Sequence, residues 1–317
     1  MNLFENNLTK FSPLADRMRP NNFNEFVGQK HLLSPNSFLV RAIKTGNVGS
    51  CIFYGPPGCG KTTIAGIIAN ECKGVFKKLN AVSSGVGDAK EIISEAKNNL
   101  ELYGTRTYLL LDECHRWNKA QSDCVLEAIE KGYITFIGST TENPYINMTR
   151  AIVSRCKVFE FKPLSVNEIS NALKRALADK ERGLGNIQVE ITDEVLEYLA
   201  FNSSGDLRTC YNTLEFAVTT SNPNEKGVIV ITKDIINDCL QKGNIALDEN
   251  TSYDILSAFC KSLRGSDTDA ALFYAQKLLL SGFDPCIIAR RLIAHASEEV
   301  CYNVQTLYTR NYQRYTA

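Results

Sequence analysis

The sequence predicts an α/β protein: a parallel P-loop sheet core with helices on both faces, followed by an all-helical lid and a C-terminal helical domain. Three observations predict it. Gly55-Pro56-Pro57-Gly58-Cys59-Gly60-Lys61-Thr62 stands between a short apolar run and a helical pattern, the strand, turn and helix context of a phosphate-binding loop. Tyr108-Leu109-Leu110-Leu111 leads straight into Asp112-Glu113, as in a strand covered on both faces that delivers carboxylates to the C-terminal edge of a parallel sheet. From Ser165 onward the apolar residues recur at three and four, which is helical spacing.

Taken in order, Cys51–Tyr54 is the first strand and Thr63–Ala69 belongs to the helix after the loop. The loop's glycines allow backbone angles that a side chain forbids, so successive N–H groups from Gly55 to Thr63 can approach phosphate oxygens at the positive end of that helix. Lys61 is placed to reach the β- and γ-phosphates and the Thr62 hydroxyl to ligate Mg²⁺. Val75–Asn80 reads as a strand. Asp88–Tyr103 reads as a helix capped by Asp88, with Ile92, Ile93, Ala96 and Leu100 on one face. An extra strand and helix therefore separate the loop from the Asp112-Glu113 strand. There Asp112 is the candidate Mg²⁺ ligand, through the metal's water shell, and Glu113 the candidate for polarising an attacking water. Cys114 and His115 have no second ligand pair at metal spacing, which favours packing or positioning over metal binding.

Asn118 caps a helix to Glu130 that Gly132 stops, and Ile134–Ile137 is the next strand. It ends in Ser139-Thr140-Thr141-Glu142-Asn143-Pro144. A polar residue there lies between the two phosphate motifs; Thr141, ahead of Thr140, is the candidate to sense the γ-phosphate, although a threonine-rich turn also suits the pattern. Arg155, just before the strand at Val158–Phe161, falls on the flank of the nucleotide domain, able to reach a neighbour's phosphates or to serve as a surface ion pair. Asp206 can start a helix whose first turn carries Arg208, a candidate lid arginine for the γ-phosphate or a structural ion-pair partner.

Composition bounds the class. The chain has 317 residues, 44% hydrophobic, enough for a full core and two or three domains. Eleven cysteines without a C-x-x-C pair argue against a disulfide framework and for a reducing compartment. No basic, apolar leader opens the sequence and no stretch approaches a membrane span, so a soluble protein is expected: cytoplasmic, nucleoid-associated in a bacterium, nuclear in a eukaryote. With 35 basic and 35 acidic residues, any nucleic-acid surface must be a local patch. Lys77-Lys78, Arg116 with Lys119, and Arg290-Arg291 are the candidates, each on its own better explained as a solvated face.

At this point the chain resembles the AAA+ ATPases and, within them, the replication-associated recombination protein A family with its eukaryotic Werner-helicase-interacting relatives. The resemblance rests on Pro13–Pro20 followed by Glu25-Phe26-Val27-Gly28-Gln29, on Asp112–Gln121, on Thr140–Pro144, and on the more specific Arg264-Gly265-Ser266-Asp267 and Asp284–Leu292. It implies an adenine pocket lined from Arg19 and Pro20 to Val27 and Gly28, Arg155 as arginine finger, Thr141 as sensor 1 and Arg208 as sensor 2. It further implies ATP with Mg²⁺ at subunit interfaces, tetramer formation through the C-terminal domain, single-stranded DNA-binding protein as a partner, and action at stalled forks, single-strand gaps or duplex ends. The domains expected are an ATPase core over 1–163, a lid over 164–243 and an oligomerisation domain over 244–317. A clamp-loader subunit shares nearly every nucleotide motif, and an ATP-switched assembly scaffold with little turnover is a reading of another class.

In the lid, Ser165 and Glu168 form a capping box for a helix ending near Gly183, a second helix starts at Thr192, the Arg208 helix follows, and Asn222-Pro223-Asn224 makes a loop before Asp234–Leu240. Gly243-Asn244 marks a boundary. Tyr253–Leu263, Thr268–Leu280 and Pro285–Val300 are three further amphipathic helices. Beyond them Cys301-Tyr302-Asn303-Val304 departs from the family pattern, the expectation being an altered or truncated end.

Overall fold

Five parallel strands form the centre of the computed structural model, which describes residues 12–240 and 249–296. They are β1 (Cys51–Tyr54), β2 (Val75–Asn80), β3 (Thr107–Asp112), β4 (Ile134–Thr140) and β5 (Lys157–Glu160), side by side in the order β2-β3-β4-β1-β5. β4 is thus inserted between the P-loop strand β1 and the carboxylate strand β3. Asp112 pairs in register with Ser139, and Thr140 with Tyr54. The three strands therefore end level, and the loops after them leave from one edge, where α/β sheets hold ligands.

Alternation across the pleat divides the core in two. Phe53, Leu110 and Phe161 face one layer with Leu39, Ile64 and Ile68, while Ile52, Leu109 and Leu111 face another with Ala89, Ala96 and Val125. The helices supplying these layers, after the short α1 (Leu14–Arg17) and α2 (Lys30–Leu33), are α3 (Phe38–Lys44), α4 (Lys61–Glu71), α5 (Val86–Tyr103) and α6 (Lys119–Glu130). Burial on both faces explains why β3 is apolar without a break. The caps of α5 and α6 differ from each other. Asn118 Oδ1 accepts from Gln121 N at 3.0 Å as the spacing predicts, but α5 starts two residues before Asp88. Gly85 is its N-cap, and Asp88 sits at N3 and accepts from Gly85 N at 2.8 Å.

Two short turns of helix, α7 (Pro144–Asn147) and α8 (Arg150–Val153), lead from β4 to β5, and the lid follows. It contains α9 (Val166–Ala178), β6 (Val189–Ile191), α10 (Asp193–Asn202), α11 (Leu207–Thr220), β7 (Ile229–Ile231) and α12 (Lys233–Cys239). The all-helical expectation is corrected here: β6 and β7 pair in parallel, Val189 with Ile229 and Ile191 with Ile231. The predicted end of α9 near Gly183 is also corrected. The helix ends at Ala178, five residues earlier, with Asp179 as its C-cap, the Asp179 carboxylate accepting from Glu181 N and Arg182 N at 2.9 Å each, which turns the chain away.

Residues up to Cys239 make one compact unit, sheet domain and lid together, and residues from Leu240 make a second. The second contains α13 (Glu249–Arg264), α14 (Thr268–Leu280) and α15 (Pro285–His295) around Ile255, Leu256, Phe259, Leu278 and Ile288. Asp284 caps α15 ahead of Pro285, accepting from Cys286 N at 2.9 Å. The expected continuation of this helix to Val300, the Gly243-Asn244 boundary and the sequence from Cys301 lie outside the described residues. No helix among the described residues is long and apolar enough to cross a membrane.

Candidate functional site

Gly60 ends the loop as the N-cap of α4, so Lys61 and Thr62 occupy the first turn and the amides before them point off the helix's positive end. Gly58 has φ +66°, and a Cβ there would lie 1.8 Å from Asp206 Oδ1 of the lid. No side chain fits between loop and lid. Lys61 is buried and its Nζ donates to the carbonyls of Gly55 and Pro56 at 2.8 and 2.7 Å. Burial pushes its pKa below the usual lysine value and the nearby Arg208 charge adds to this, against the opposing pull of Cys59, Glu113 and Asp112.

Across the cleft mouth, Thr62 Oγ1 lies 3.4 Å from both carboxylate oxygens of Asp112. A hydroxyl and a carboxylate converging from two elements form an oxygen-only donor set that suits a hard cation such as Mg²⁺. Lys78 Nζ also reaches Asp112 Oδ2 at 3.3 Å from the adjacent strand, and Lys77 pairs with Glu95 at 2.5 Å, so this dipeptide is not a free basic patch. Arg116 and Lys119 remain exposed, and Arg290 and Arg291 line a groove with Tyr253 within the second unit. Glu113 has φ +54°, a left-handed conformation costly for this residue type, of the kind found at functional sites.

One cleft brings together Pro57 to Thr63, Asp112, Glu113, Thr141 and Arg208. Thr141 faces it, whereas Thr140 is turned inward and only 1% exposed. The cleft continues past Arg19, Pro20 and Val27 to a more apolar end at Phe26, Leu164 and Tyr211. Gly28, Gly55 and Pro56 are not among its lining residues. Gly28 packs behind the wall, where a Cβ would meet Leu164 at 2.3 Å, and Gly55 and Pro56 offer their carbonyls to Lys61. Asp206 accepts from Arg208 N and Thr209 N at 2.8 and 3.1 Å, which holds Arg208 in the first turn of α11 as expected.

Several lining or bracing residues carry no local sequence signal. Arg175 of α9 lines the cleft and donates to Glu25 O at 2.8 Å; Arg182 bonds Glu25 Oε2 at 2.9 Å; Glu215 of α11 takes both Arg17 at 2.6 Å and Leu14 N at 2.7 Å. The stretch from Leu14 to Glu25 is therefore tied to the lid at both ends, through partners 150 to 201 positions away in the chain. Only the folded chain brings these partners together.

Arg155 stands apart from the cleft. Its Nε donates to Glu130 Oε1 at 2.6 Å and its Nη1 to Ala151 O at 2.9 Å, and it lines a separate hollow with Phe38, Ser50 and Phe159. It does not reach its own P-loop cleft. Cys114 is a packing residue: its Sγ rests against Met148 Sδ at 3.5 Å, and burial pushes its thiol well above the usual value. The thiol of Cys59 is raised too, mainly by burial. Among the described residues no group of three His, Cys, Asp or Glu side chains could hold a metal ion.

Residues 18–151 match the family described as Holliday junction DNA helicase RuvB P-loop domain, residues 185–264 the AAA C-terminal domain, and residues 265–315 the MgsA AAA+ ATPase C terminal. The solved Thermotoga maritima RuvB Holliday junction branch migration motor is similar in fold, with a TM-score of 0.55 and 26% identity over 78% of this chain and 79% of that one. Replication-associated recombination protein A of Escherichia coli K12 is 41% identical over 92% of this chain, which spans 65% of that protein's length. The Bacillus subtilis protein of the same name is 42% identical over 91% of this chain and 68% of its own. Dictyostelium discoideum ATPase WRNIP1 is 36% identical, with 92% of this chain matching 35% of that protein. Sheet order, P-loop cleft, lid and these similarities agree, and the chain belongs to the replication-associated recombination protein A family of AAA+ ATPases.

Proposed function

We propose that the protein is a Mg²⁺-dependent ATPase that acts on DNA in replication-fork maintenance, recombination and repair, hydrolysing ATP where two subunits meet. The observation that carries the ATPase reading is the single cleft holding Lys61, Thr62, Asp112, Glu113, Thr141 and Arg208. Lys61 and the amides of the loop would grip the β- and γ-phosphates. Thr62 and Asp112 would hold Mg²⁺, which when bound offsets phosphate charge. Glu113 would turn a water toward the γ-phosphorus and accept its proton as the bond to the bridging oxygen breaks, with Thr141 and Arg208 stabilising the transferring oxygens.

Arg155 would complete a neighbour's site. Its position outside its own cleft supports that role, and its ion pair with Glu130 holds the guanidinium ready on the flank. Arg19, Pro20 and Val27 would take the adenine. The similarity of residues 265–315 to the MgsA C terminal favours this family's role over that of a clamp-loader subunit, and self-association through the second unit is part of the same reading. DNA as the substrate is supported by the names of the relatives and by the branch-migration motor of similar fold. Single-stranded DNA-binding protein as a partner, and a place in the cytoplasm or nucleoid, follow from the same reading.

A steady-state ATPase assay with and without forked or gapped DNA tests it. Wild type should turn over and be stimulated by DNA, and Glu113→Gln should bind ATP but not hydrolyse it. Retained turnover in that variant removes Glu113 from its role, and tight binding without turnover in the wild type would favour a scaffold instead.

A further inference from the structure

His115 has no part in the roles above, yet its ring is the meeting point of Glu113 of the cleft with Thr140 and Glu142 at the end of β4. The side chain is 8% exposed and wedged between the ends of β3 and β4. Nδ1 lies 2.8 Å from Thr140 Oγ1 and 3.5 Å from Glu113 Oε2, and Nε2 lies 3.4 Å from Glu142 Oε1. Thr140 Oγ1 in turn accepts from Glu142 N at 3.0 Å. One imidazole thus links the carboxylate aimed at water, the strand-end hydroxyl beside Thr141, and the loop that runs on through α7 and α8 to Arg155.

Glu113 needs such a partner. Its left-handed backbone is not a relaxed well for a glutamate, and its side chain is 38% exposed, so an unheld carboxylate is free to turn toward solvent. The imidazole can fix it because it is itself fixed, by burial and by contacts on both nitrogens.

We propose that His115 is the positioning residue for Glu113, and that through Thr140 and Glu142 it couples the direction of that carboxylate to the loop after β4. This rests on the reading of Glu113 as the group that activates water. A displacement of the 141–143 loop would then reach Glu113 through the ring, without passing through the phosphates.

The test is steady-state hydrolysis by the full chain over a range of ATP concentrations, with thermal melting alongside, for wild type, E113Q, H115A, H115N and E142Q. H115A should lower kcat by about 10- to 100-fold, the scale of a small misplacement of a reacting group, with KM for ATP and melting temperature little changed. H115N, which keeps an N–H donor near the Nδ1 position, should recover most of the rate. E142Q should lower kcat in the same direction, and E142Q combined with H115A should lose no more than H115A alone, since both break one chain of contacts.

If H115A turns over within twofold of wild type while E113Q is inactive, the inference is wrong and the reading of Glu113 stands. If E113Q itself turns over normally, both fall together. A loss in H115A that appears in KM and melting, and that H115N does not restore, makes His115 a packing residue and also overturns the proposal. Should H115A not fold, the rates of H115N and E142Q decide, and a wild-type rate in E142Q counts against it.

Discussion

Replacing Gly58 by alanine should uncouple the P-loop from the lid. The added Cβ would sit 1.8 Å from Asp206 Oδ1, 2.5 Å from its Cγ and 3.0 Å from its Cα. Ordinary contact begins near 3.5 Å, so loop and lid must separate by roughly 1.5 Å. The moving group is the carboxylate that caps α11, two residues before Arg208, so the guanidinium shifts with it. A misplacement of about 1 Å costs a catalytic constellation on the order of 100-fold, and a left-handed alanine adds about 1–2 kcal/mol of backbone strain. Gly58→Ala should therefore lose about two decades of kcat in a coupled ATPase assay and melt a few degrees lower. Gly46→Ala separates the two effects. Gly46 has φ +64° with nothing within 4 Å of a built Cβ, so that variant should show the strain in melting temperature and leave kcat unchanged. A Gly58→Ala protein that melts like Gly46→Ala and hydrolyses ATP at the wild-type rate would refute the claim that loop and lid contact sets the site.

Three further outcomes follow from the fold. Asn118→Ala removes the acceptor for Gln121 N at the start of α6 and should cost about 1 kcal/mol in chemical denaturation. Glu25 is held below the usual carboxylate range chiefly by its hydrogen bond from Arg182. Its contribution is present above the unfolded-state value near 4.5 and lost as pH falls through the lower folded value. Glu25→Gln should thus melt about 1–3 °C lower at pH 7, discounted for partial exposure, with the gap closing below about pH 4. Phe259 is 2% exposed in the core of the second unit, and Phe259→Ala should weaken that unit by about 3–5 kcal/mol, read from calorimetry.

Much of the candidate nucleotide site is legible in the sequence because its signals are local. A glycine loop between strand and helix, and an apolar run ending in two carboxylates, each need only neighbouring residues. Strands β1 and β2 and helix α14 begin and end where the pattern places them. What escapes has a physical reason in each case. Strands β6 and β7 have three residues each, too few for alternation to register, and are held by pairing 40 positions apart. Asp88 and Gly85 compete for the same helix start, and the glycine takes the cap while the aspartate closes the box from N3. Lys78 looks like half of a basic patch until the register of β2 on β3 sets it beside Asp112. His115 reads only as a packing or positioning residue, with no partner to name, because Thr140 and Glu142 approach it only once β4 is laid beside β3.

Mixing two inactive variants addresses the proposed sharing of the site between subunits most directly. Arg155→Ala should lower kcat by about 10³ to 10⁵, as loss of an arginine finger does, and Glu113→Gln should stop turnover from within the cleft. A mixed assembly would pair an intact Glu113 on one subunit with an intact Arg155 on the next. The measurement is the ATPase rate of the two variants titrated together, with co-assembly verified by light scattering. Hydrolysis that neither variant has alone, rising and falling with the mixing ratio, is the result expected. Mixed assemblies as inactive as both parents, or an Arg155→Ala protein as fast as wild type, would contradict hydrolysis at a site built from two subunits.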